Sequence, residues 1–277
     1  GFQCVVATRL PGEVPGAVEV VPIAPGGDSP GWFRALPAVR ALARRIAPQW
    51  IHGHYVTSYG LWAATCRGLA PIVLTAWGSD ILVTPREPGW RGRLMHGLVG
   101  WTLRRADLIT ADSQDVIAAI RGYGVDAPCH EVLWGVDTLR FCPAAVAPAR
   151  DRFEIVSLRT WEPNYNIDVL LRAVAQLRRE RPQTRIGVSL LGGGAMAGAL
   201  RTLALDLGLD EVVRFVGRVD DVGMVAALQH ADVSVSVPAS DATSVAMLES
   251  MACGLPVVAS DLQANRAWID ASQRVPA

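Results

Sequence analysis

Short apolar runs alternate with longer, helix-like segments along most of the chain. Runs rich in apolar and β-branched residues predict strands, and they lie at residues 2–7, 18–23, 51–54, 71–76, 153–158, 185–191, 233–238 and 256–260. Helical spacing of apolar residues, or helix-favouring composition, predicts helices at residues 31–46, 59–66, 86–105, 167–179 and 246–253. Because strands and helices alternate, the sequence predicts an α/β protein with parallel sheets.

A proline- and alanine-rich segment at residues 143–149 separates two patterned halves of the chain. Such composition is typical of linkers between domains. We therefore predict an N-terminal Rossmann-like domain at residues 1–146 and a C-terminal Rossmann-like domain at residues 147–277. Because the chain starts within a predicted strand, we also expect a further strand with a glycine-rich loop before it.

Composition narrows the classes of function. The 277 residues are 51% hydrophobic, which is enough for two domains with buried sheets, and no apolar run reaches the roughly 18 residues of a membrane span. All 26 basic residues are Arg, and 26 acidic residues balance them, so nothing indicates nucleic-acid binding. The cysteines are scattered, which indicates reduced thiols in a cytoplasmic protein and no zinc site. They are Cys4, Cys66, Cys129, Cys142 and Cys253.

The most informative stretch lies between residues 231 and 269. A predicted strand ends at Pro238, a loop with Asp241 and Ser244 follows, and the next helix carries Glu249. Such a unit presents its helix N-terminus at the carboxyl edge of a parallel sheet, where phosphorylated ligands dock. Both acids can face that crevice, although either acid alone could equally lie on a solvated helix face. Amides for a diphosphate and carboxylates for hydroxyl groups suit a nucleotide sugar.

The spacing Asp241-x7-Glu249, with Ser-Met-Ala-Cys-Gly-Leu-Pro-Val-Val-Ala-Ser after it, resembles the donor-site motif of the family-4 retaining glycosyltransferases. The resemblance implies two Rossmann-like parallel-sheet domains that face each other across a cleft, the GT-B type. The family has Glu at the first acidic position, so Asp241 is shorter by one methylene. The resemblance covers about residues 51–269, and we expect a further strand and helices beyond residue 277.

The resemblance also implies a set of donor-site residues. Arg159 follows the first strand of the second half and would bind the diphosphate, so that Arg159 and Asp241 are the predicted catalytic residues. The residues implied in donor binding are Gly193, Gly217, Arg218, Val219, Thr243, Ser244, Val245 and Glu249. The family has a Lys shortly after its Arg, whereas this sequence has Tyr165, which carries no positive charge. Taken alone, Arg159 is also compatible with a surface ion pair.

The residues implied on the acceptor side are His54, Trp77, Gly78 and Asp80. In the family a strand of the first domain ends in His-Gly-x-Asp, and Trp77 stands in place of that His. An indole there is compatible with stacking on a sugar face or with packing in the interior. His52 and His54 share a strand face, a spacing seen in metal sites, but no further ligand-type residue lies nearby in sequence. No metal site is therefore predicted.

Residues 86–105 mix arginines with tryptophan, leucine, methionine and valine. Such a helix is compatible with a lipid head-group surface, which would suit a lipid-linked acceptor. It is more typical of an ordinary amphipathic helix packed on its sheet. Peripheral membrane contact therefore stays an open alternative.

Taken together, the residues and the resemblance predict an enzyme that transfers a sugar, with retention of configuration, from a nucleotide diphosphate sugar. The acceptor would be a saccharide, a lipid-linked molecule or a small molecule. Arg159 and the helix amides near Ser244 and Val245 would stabilise the departing diphosphate, so we expect neither metal nor cofactor. A nucleotide-sugar epimerase of the same fold and a non-catalytic nucleotide-binding fragment remain alternatives. We expect a cytoplasmic protein, at the inner face of the membrane if it contacts lipid.

Overall fold

The computed structural model describes residues 2–10, 12–23, 29–86, 88–146 and 151–276. The chain divides into two compact units, Gly1–Leu133 and Trp134–Ala277. In the described part of the chain, every helix is too short or too polar to cross a bilayer.

The first unit contains a parallel strand pair and a four-stranded parallel sheet. Its strands are β1 (Cys4–Thr8), β2 (Ala17–Pro22), β3 (Ile51–His54), β4 (Ile72–Thr75), β5 (Leu108–Ala111) and β6 (Cys129–Glu131). The pair is β1–β2, and the sheet has the order β3–β4–β5–β6. One face of that sheet carries fully buried apolar side chains, Ile72, Leu74 and Ile109, so the core of this unit lies against it.

The helices of the first unit connect these strands. They are α1 (Ser29–Arg34), α2 (Leu36–Ile46), α3 (Gly60–Thr65), α4 (Ser79–Leu82), α5 (Trp90–Leu103) and α6 (Gln114–Arg121). The single helix predicted at residues 31–46 is two helices, and Pro37 lies in the first turn of the second one, where its missing N–H is tolerated. A π-helical turn, Tyr55–Tyr59, leads into α3.

The second unit is built on one six-stranded parallel sheet. Its strands are β7 (Phe153–Ser157), β8 (Ile186–Leu191), β9 (Val213–Gly217), β10 (Val233–Ser236), β11 (Val257–Ser260) and β12 (Arg274–Val275). The helices are α7 (Ile167–Glu180), α8 (Ala197–Asp206), α9 (Asp221–His230), α10 (Val245–Ala252) and α11 (Gln263–Arg266). The strand order is β12–β11–β10–β7–β8–β9, with every pair parallel. The predicted α/β architecture with parallel sheets is confirmed.

The core of the second unit forms where helices cover the middle of this sheet. Every residue of β8 is buried, which explains why its sequence is mostly apolar, with Ser189 as the one hydroxyl residue. Leu171 and Val174 of α7 and Leu200 of α8 pack in one buried cluster with Val188 and Leu190. This packing holds the ends of β7 and β10, and therefore the loops that follow them, in fixed positions.

The division between the two units falls before the predicted boundary at residue 146. Phe141 is buried in a cluster with Val156 and Leu228, both of the second unit. The Gln229 side chain also donates a hydrogen bond to the Cys142 carbonyl oxygen at 2.9 Å. These contacts attach residues 134–146 to the second unit, because an apolar anchor outweighs the linker-like composition around it. Residues 147–149, the last part of the predicted linker, lie outside the described residues.

Candidate active site

The loop after β10 ends at a capped helix start. Ser244 has an extended backbone, and its Oγ accepts a hydrogen bond from the Met247 N–H at 3.3 Å, as an N-cap residue does. Ser260 of β11 donates to the Pro238 carbonyl oxygen at 2.7 Å and holds the other end of the loop. Since β10 pairs with β7, this loop and the residues after β7 meet at the carboxyl edge of the sheet.

Arg159, Asp241 and Ser244 form one hydrogen-bonded cluster at this edge. Nη2 of Arg159 donates to Oδ2 of Asp241 at 2.6 Å, and Nη1 donates to Oγ of Ser244, also at 2.6 Å. Arg159 is only 8% exposed. Burial raises the pKa of the Asp241 carboxyl, and the guanidinium opposes that rise. Two residues that sequence analysis assigned to the diphosphate and to the sugar therefore contact each other directly.

The ring of Tyr165 lies against the same guanidinium. Cζ of Arg159 is 4.3 Å from the ring centroid, which is within the range of a cation–π contact. Nε of Arg159 is buried and has no hydrogen-bond partner among the described residues. Tyr165, where the family has Lys, thus supplies a face for Arg159 instead of a second charge.

Two asparagines that flank Tyr165 bind the β10 loop. Nδ2 of Asn164 donates to the Ser240 carbonyl oxygen at 2.8 Å, and Nδ2 of Asn166 donates to the Val237 carbonyl oxygen at 3.0 Å. The Ala239 N–H in turn donates to the Asn164 carbonyl oxygen at 2.8 Å. We call residues 164–166 the Asn clip. This role was not predicted from the sequence, where its only signal is the pattern Asn-Tyr-Asn a few residues after Arg159.

The glycine loop at residues 192–194 packs against the chain that follows β7. A Cβ added to Gly192 would lie 2.6 Å from the carbonyl oxygen of Arg159, and one added to Gly194 would lie 2.5 Å from that of Trp161. Gly192 also has a φ of 135°, which side chains rarely adopt. The flanking glycines thus allow two backbones to approach closely, whereas Gly193 has the side-chain space that a ligand could use.

Gly193 lies next to Arg218, another residue of the predicted donor site. A Cβ at Gly193 would be 3.7 Å from Nε of Arg218. Gly217, which precedes Arg218, has a φ of 86° at the end of β9, so this turn needs a glycine. Val219 is exposed beside it. These residues are grouped at the end of β9.

The remaining predicted donor residues lie on or before α10. Thr243 is buried in the loop, and Val245 is exposed at the first helical position. Glu249 is partly buried on the same helix. Burial raises the pKa of the Glu249 carboxyl, and the negative charge of Asp221 on α9 adds to the rise. A ligand hydroxyl group that donates a hydrogen bond to this carboxylate would offset part of the cost of its desolvation.

On the acceptor side, the Trp77 side chain is exposed whereas the Asp80 side chain is buried. Trp77 is 45% exposed, and its ring meets His54 edge-on at 6.0 Å. Asp80 is fully buried: Oδ2 accepts from the Val56 N–H at 2.6 Å, and Oδ1 accepts from the Trp77 N–H at 3.0 Å. Asp80 therefore has a structural role that replaces the predicted acceptor contact. It ties the π-helical turn to the end of β4.

Gly78 and the two histidines complete that side. Gly78 has a φ of 92° just before α4, which only a glycine adopts readily. The rings of His52 and His54 stack at 4.2 Å, and Nε2 of His52 is 2.6 Å from Oγ1 of Thr75. No group of three or more metal-ligand side chains lies together among the described residues.

Two family models match the sequence, one in each half. The family described as Glycosyl transferase 4-like matches residues 1–113, and Glycosyl transferases group 1 matches residues 152–274. The chain belongs to the family-4 type of glycosyltransferases. The resemblance inferred from the motif around Asp241 and Glu249 is confirmed.

Two curated relatives are similar over most of this chain. The D-inositol 3-phosphate glycosyltransferase of Saccharomonospora viridis is 36% identical over 234 residues, which are 76% of this chain and 53% of that protein. The GDP-mannose-dependent alpha-(1-6)-phosphatidylinositol monomannoside mannosyltransferase of Mycolicibacterium smegmatis is 31% identical over 220 residues, 71% of this chain and 56% of that protein. The chain thus spans about half the length of these relatives.

Solved structures share the fold. Sucrose-phosphate synthase from Thermosynechococcus elongatus superposes with a TM-score of 0.78 at 20% identity, covering 94% of this chain and 69% of that chain. Anabaena HepE, solved with UDP and glucose, gives a TM-score of 0.73 at 20% identity, covering 92% and 70%. The predicted two-domain GT-B type of fold is confirmed by these similarities.

Proposed function

We propose that this chain is a glycosyltransferase that moves a sugar from a nucleotide diphosphate sugar to an acceptor with retention of configuration. The observation that carries the proposal is the cluster of Arg159, Asp241 and Ser244 at the N-terminus of α10. A buried guanidinium and the first backbone N–H groups of a helix meet there, which is the chemistry that a diphosphate leaving group requires.

In this mechanism the protein mainly positions the donor and stabilises the charge that develops on its diphosphate. Arg159 and the backbone N–H groups near Ser244 and Val245 bind the leaving diphosphate. Asp241 and Glu249 accept hydrogen bonds from donor hydroxyl groups. No general base comes from the protein in this scheme, because the departing phosphate itself takes the acceptor proton.

The donor is a nucleotide sugar whose base and sugar are left open. The names of two similar proteins support this class, since one depends on GDP-mannose and the other was solved with UDP. Arg159 and the helix amides can supply the charge that a metal ion would otherwise bring to the diphosphate. We therefore propose a metal-independent reaction, and transfer that is lost on addition of a chelator would contradict it.

The acceptor is a saccharide, a small molecule or a lipid-linked molecule. A lipid-linked acceptor is supported by α5, where Trp90 and Leu94 are 67% and 62% exposed and Arg91 and Arg93 are exposed beside them. Apolar and basic side chains together suit an anionic head-group surface. Cosedimentation with vesicles that contain anionic lipid tests this contact, and we place it at the cytoplasmic face of the membrane. Binding that is unchanged in Trp90→Ser would contradict it.

Titration calorimetry with UDP, GDP, ADP and CDP tests the donor site. We expect one of them to bind and Arg159→Ala to weaken its binding about 10- to 100-fold, the range for hydrogen bonds to a charged group. Arg172→Ala, which removes an exposed Arg on α7, is the matched control and should leave binding unchanged. Equal affinity of the wild type and Arg159→Ala would contradict the proposal.

A product assay then tests transfer itself. The donor sugar that matches the bound nucleotide is incubated with saccharides, inositol phosphates and phosphatidylinositol, and the anomeric configuration of any product is determined by NMR. A product with the configuration of the donor is expected. Nucleotide binding without transfer to any acceptor would favour the non-catalytic alternative, and conversion of the donor sugar into its epimer would favour an epimerase.

A further inference from the structure

Tyr165 lies against the guanidinium of Arg159 and adds no charge to it. The ring centroid of Tyr165 is 4.3 Å from Cζ of Arg159. We infer that Tyr165 is a positioning residue for donor binding, because its ring holds the Arg159 guanidinium in the conformation that meets the diphosphate. This inference rests on the proposed function.

The contacts of Arg159 show how the Tyr165 ring restricts its side chain. Asp241 and Ser244 bind Nη2 and Nη1 at one edge of the guanidinium, and Tyr165 covers one of its faces. A free Arg side chain would lose rotamer entropy on binding a ligand. These contacts have already restricted it before the ligand arrives, so the diphosphate meets a preorganised donor group.

The Asn clip fixes the ring in turn. Asn164 and Asn166 donate from both sides of Tyr165 to carbonyl oxygens of the β10 loop, at 2.8 and 3.0 Å. The ring of Tyr165 and the carboxylate of Asp241 are therefore attached to the same loop. Arg159 lies between the Tyr165 ring and the Asp241 carboxylate, and the β10 loop determines the distance between these two groups.

The charge of the site also follows from this arrangement. Arg159 with Asp241 is a neutral pair, whereas a Lys in place of Tyr165 would leave the site with a net positive charge. The affinity for a diphosphate then depends more on the hydrogen-bond geometry at Arg159 than on long-range electrostatic attraction. We expect its decrease with added salt to be shallow, because salt screens net charge more than it screens short hydrogen bonds in a buried site.

Inorganic pyrophosphate is the probe, since it requires no particular base. Calorimetry on the full chain compares the wild type with Tyr165→Phe, which keeps the ring, and Tyr165→Leu, which removes it. Tyr165→Phe should bind within about twofold of the wild type, and Tyr165→Leu should bind about 5- to 30-fold more weakly, the range for a partly desolvated cation–π contact. Asn166→Gly keeps the positive φ of 51° but removes the amide, and a smaller loss is expected.

Trp101→Leu is the matched control. It removes another cation–π contact, that of Arg105 at 3.7 Å, from the first unit, and should leave pyrophosphate binding unchanged. Equal affinities of the Phe and Leu variants, with circular dichroism unchanged, would overturn the inference and leave the proposed function intact. Ring-dependent binding of pyrophosphate without binding of any nucleoside diphosphate would show that the ring positions Arg159, but it would contradict the proposed function and with it the role of Tyr165 in donor binding. A wild-type chain that binds neither compound overturns both.

Discussion

Arg159 and Asp241 are joined by a 2.6 Å hydrogen bond between opposite charges, so the candidate diphosphate-binding cation is paired before any donor arrives. An incoming diphosphate therefore shares or replaces Asp241 as the partner of Arg159. A carboxylate shorter than the Glu of the family still reaches the guanidinium, whereas its reach toward a sugar is reduced.

Asp241→Ala distinguishes the contact of this carboxylate with Arg159 from its proposed contact with the donor sugar. We expect sugar transfer to fall about 10- to 100-fold, because a charge-assisted hydrogen bond to the donor sugar is lost. Binding of the nucleoside diphosphate that lacks the sugar should change far less than transfer, since Arg159 loses a competing partner together with part of its preorganisation. Transfer kinetics and calorimetry on the same preparation check both outcomes. Unchanged transfer would show that Asp241 does not hold the donor.

Replacing Asp80 should destabilise the first unit. Asp80→Ala leaves two buried backbone N–H groups, those of Val56 and Trp77, without acceptors. We expect a loss of roughly 3 kcal/mol in the free energy of unfolding, since each unsatisfied buried donor costs about 1–3 kcal/mol. Hydrogen exchange at the Val56 and Trp77 amides is the local measurement. Unaltered protection there, with an effect on acceptor KM alone, would restore Asp80 to the acceptor site.

The three glycines at residues 192–194 should differ in their tolerance of a methyl group. Gly192→Ala and Gly194→Ala bring Cβ within 2.6 Å of a backbone carbonyl oxygen and should each cost roughly 1–3 kcal/mol of stability, because a backbone must shift. Gly193→Ala meets only the Arg218 side chain at 3.7 Å and should cost less than about 0.5 kcal/mol. Urea unfolding of the three variants tests the order. Equal losses would show that the loop adapts as a whole.

The stacked pair His52 and His54 should make the first unit sensitive to acid. Burial lowers the pKa of both imidazoles, and the charge of His54 lowers that of His52 further. The unfolded chain therefore binds protons more strongly than the folded chain. The stabilising contribution is complete above the unfolded value of about 6.5 and is lost as the pH falls through the lower folded values.

NMR titration of the imidazole C–H signals measures these two pKa values directly. His54→Gln removes one charge and should move the pKa of His52 upward, toward its ordinary value. The control is the exposed His130, whose replacement by Gln should leave the His52 titration unchanged. Midpoints at or above 6.5 for both His52 and His54 in the wild type would contradict this prediction.

Local patterns were enough to predict most of the sheet architecture. The strand predicted at residues 185–191 is β8 (Ile186–Leu191) in the structure, and the capping residues before Val245 mark the start of α10. Both signals are local, since they depend on composition and spacing within a few residues. The boundary between the units was predicted too late because the anchoring of Phe141 in a core is a tertiary contact.

From the sequence, the candidate site is a list of residues without an arrangement. The motif identifies Asp241 and Glu249, yet no local pattern reveals that Asp241 binds Arg159. Asp80 looks like an accessible polar residue in sequence, and only the fold brings the Val56 N–H to its carboxylate. Side-chain partners that lie far apart in the chain carry no periodic signal, so they required the structure.

The Asn clip has a consequence for the order in which the second unit folds. The hydrogen bonds that join Arg159, Asn164 and Asn166 to the β10 loop and Ser244 connect positions 71 to 85 residues apart. Closing so long a stretch of chain costs entropy before any contact compensates for it. Pairing of β7 with its sequence neighbour β8 needs no such closure. In pulse-labelling hydrogen exchange, amides of the β10 loop should therefore gain protection after those of β8, and a refolding chain should acquire nucleotide affinity among its last steps.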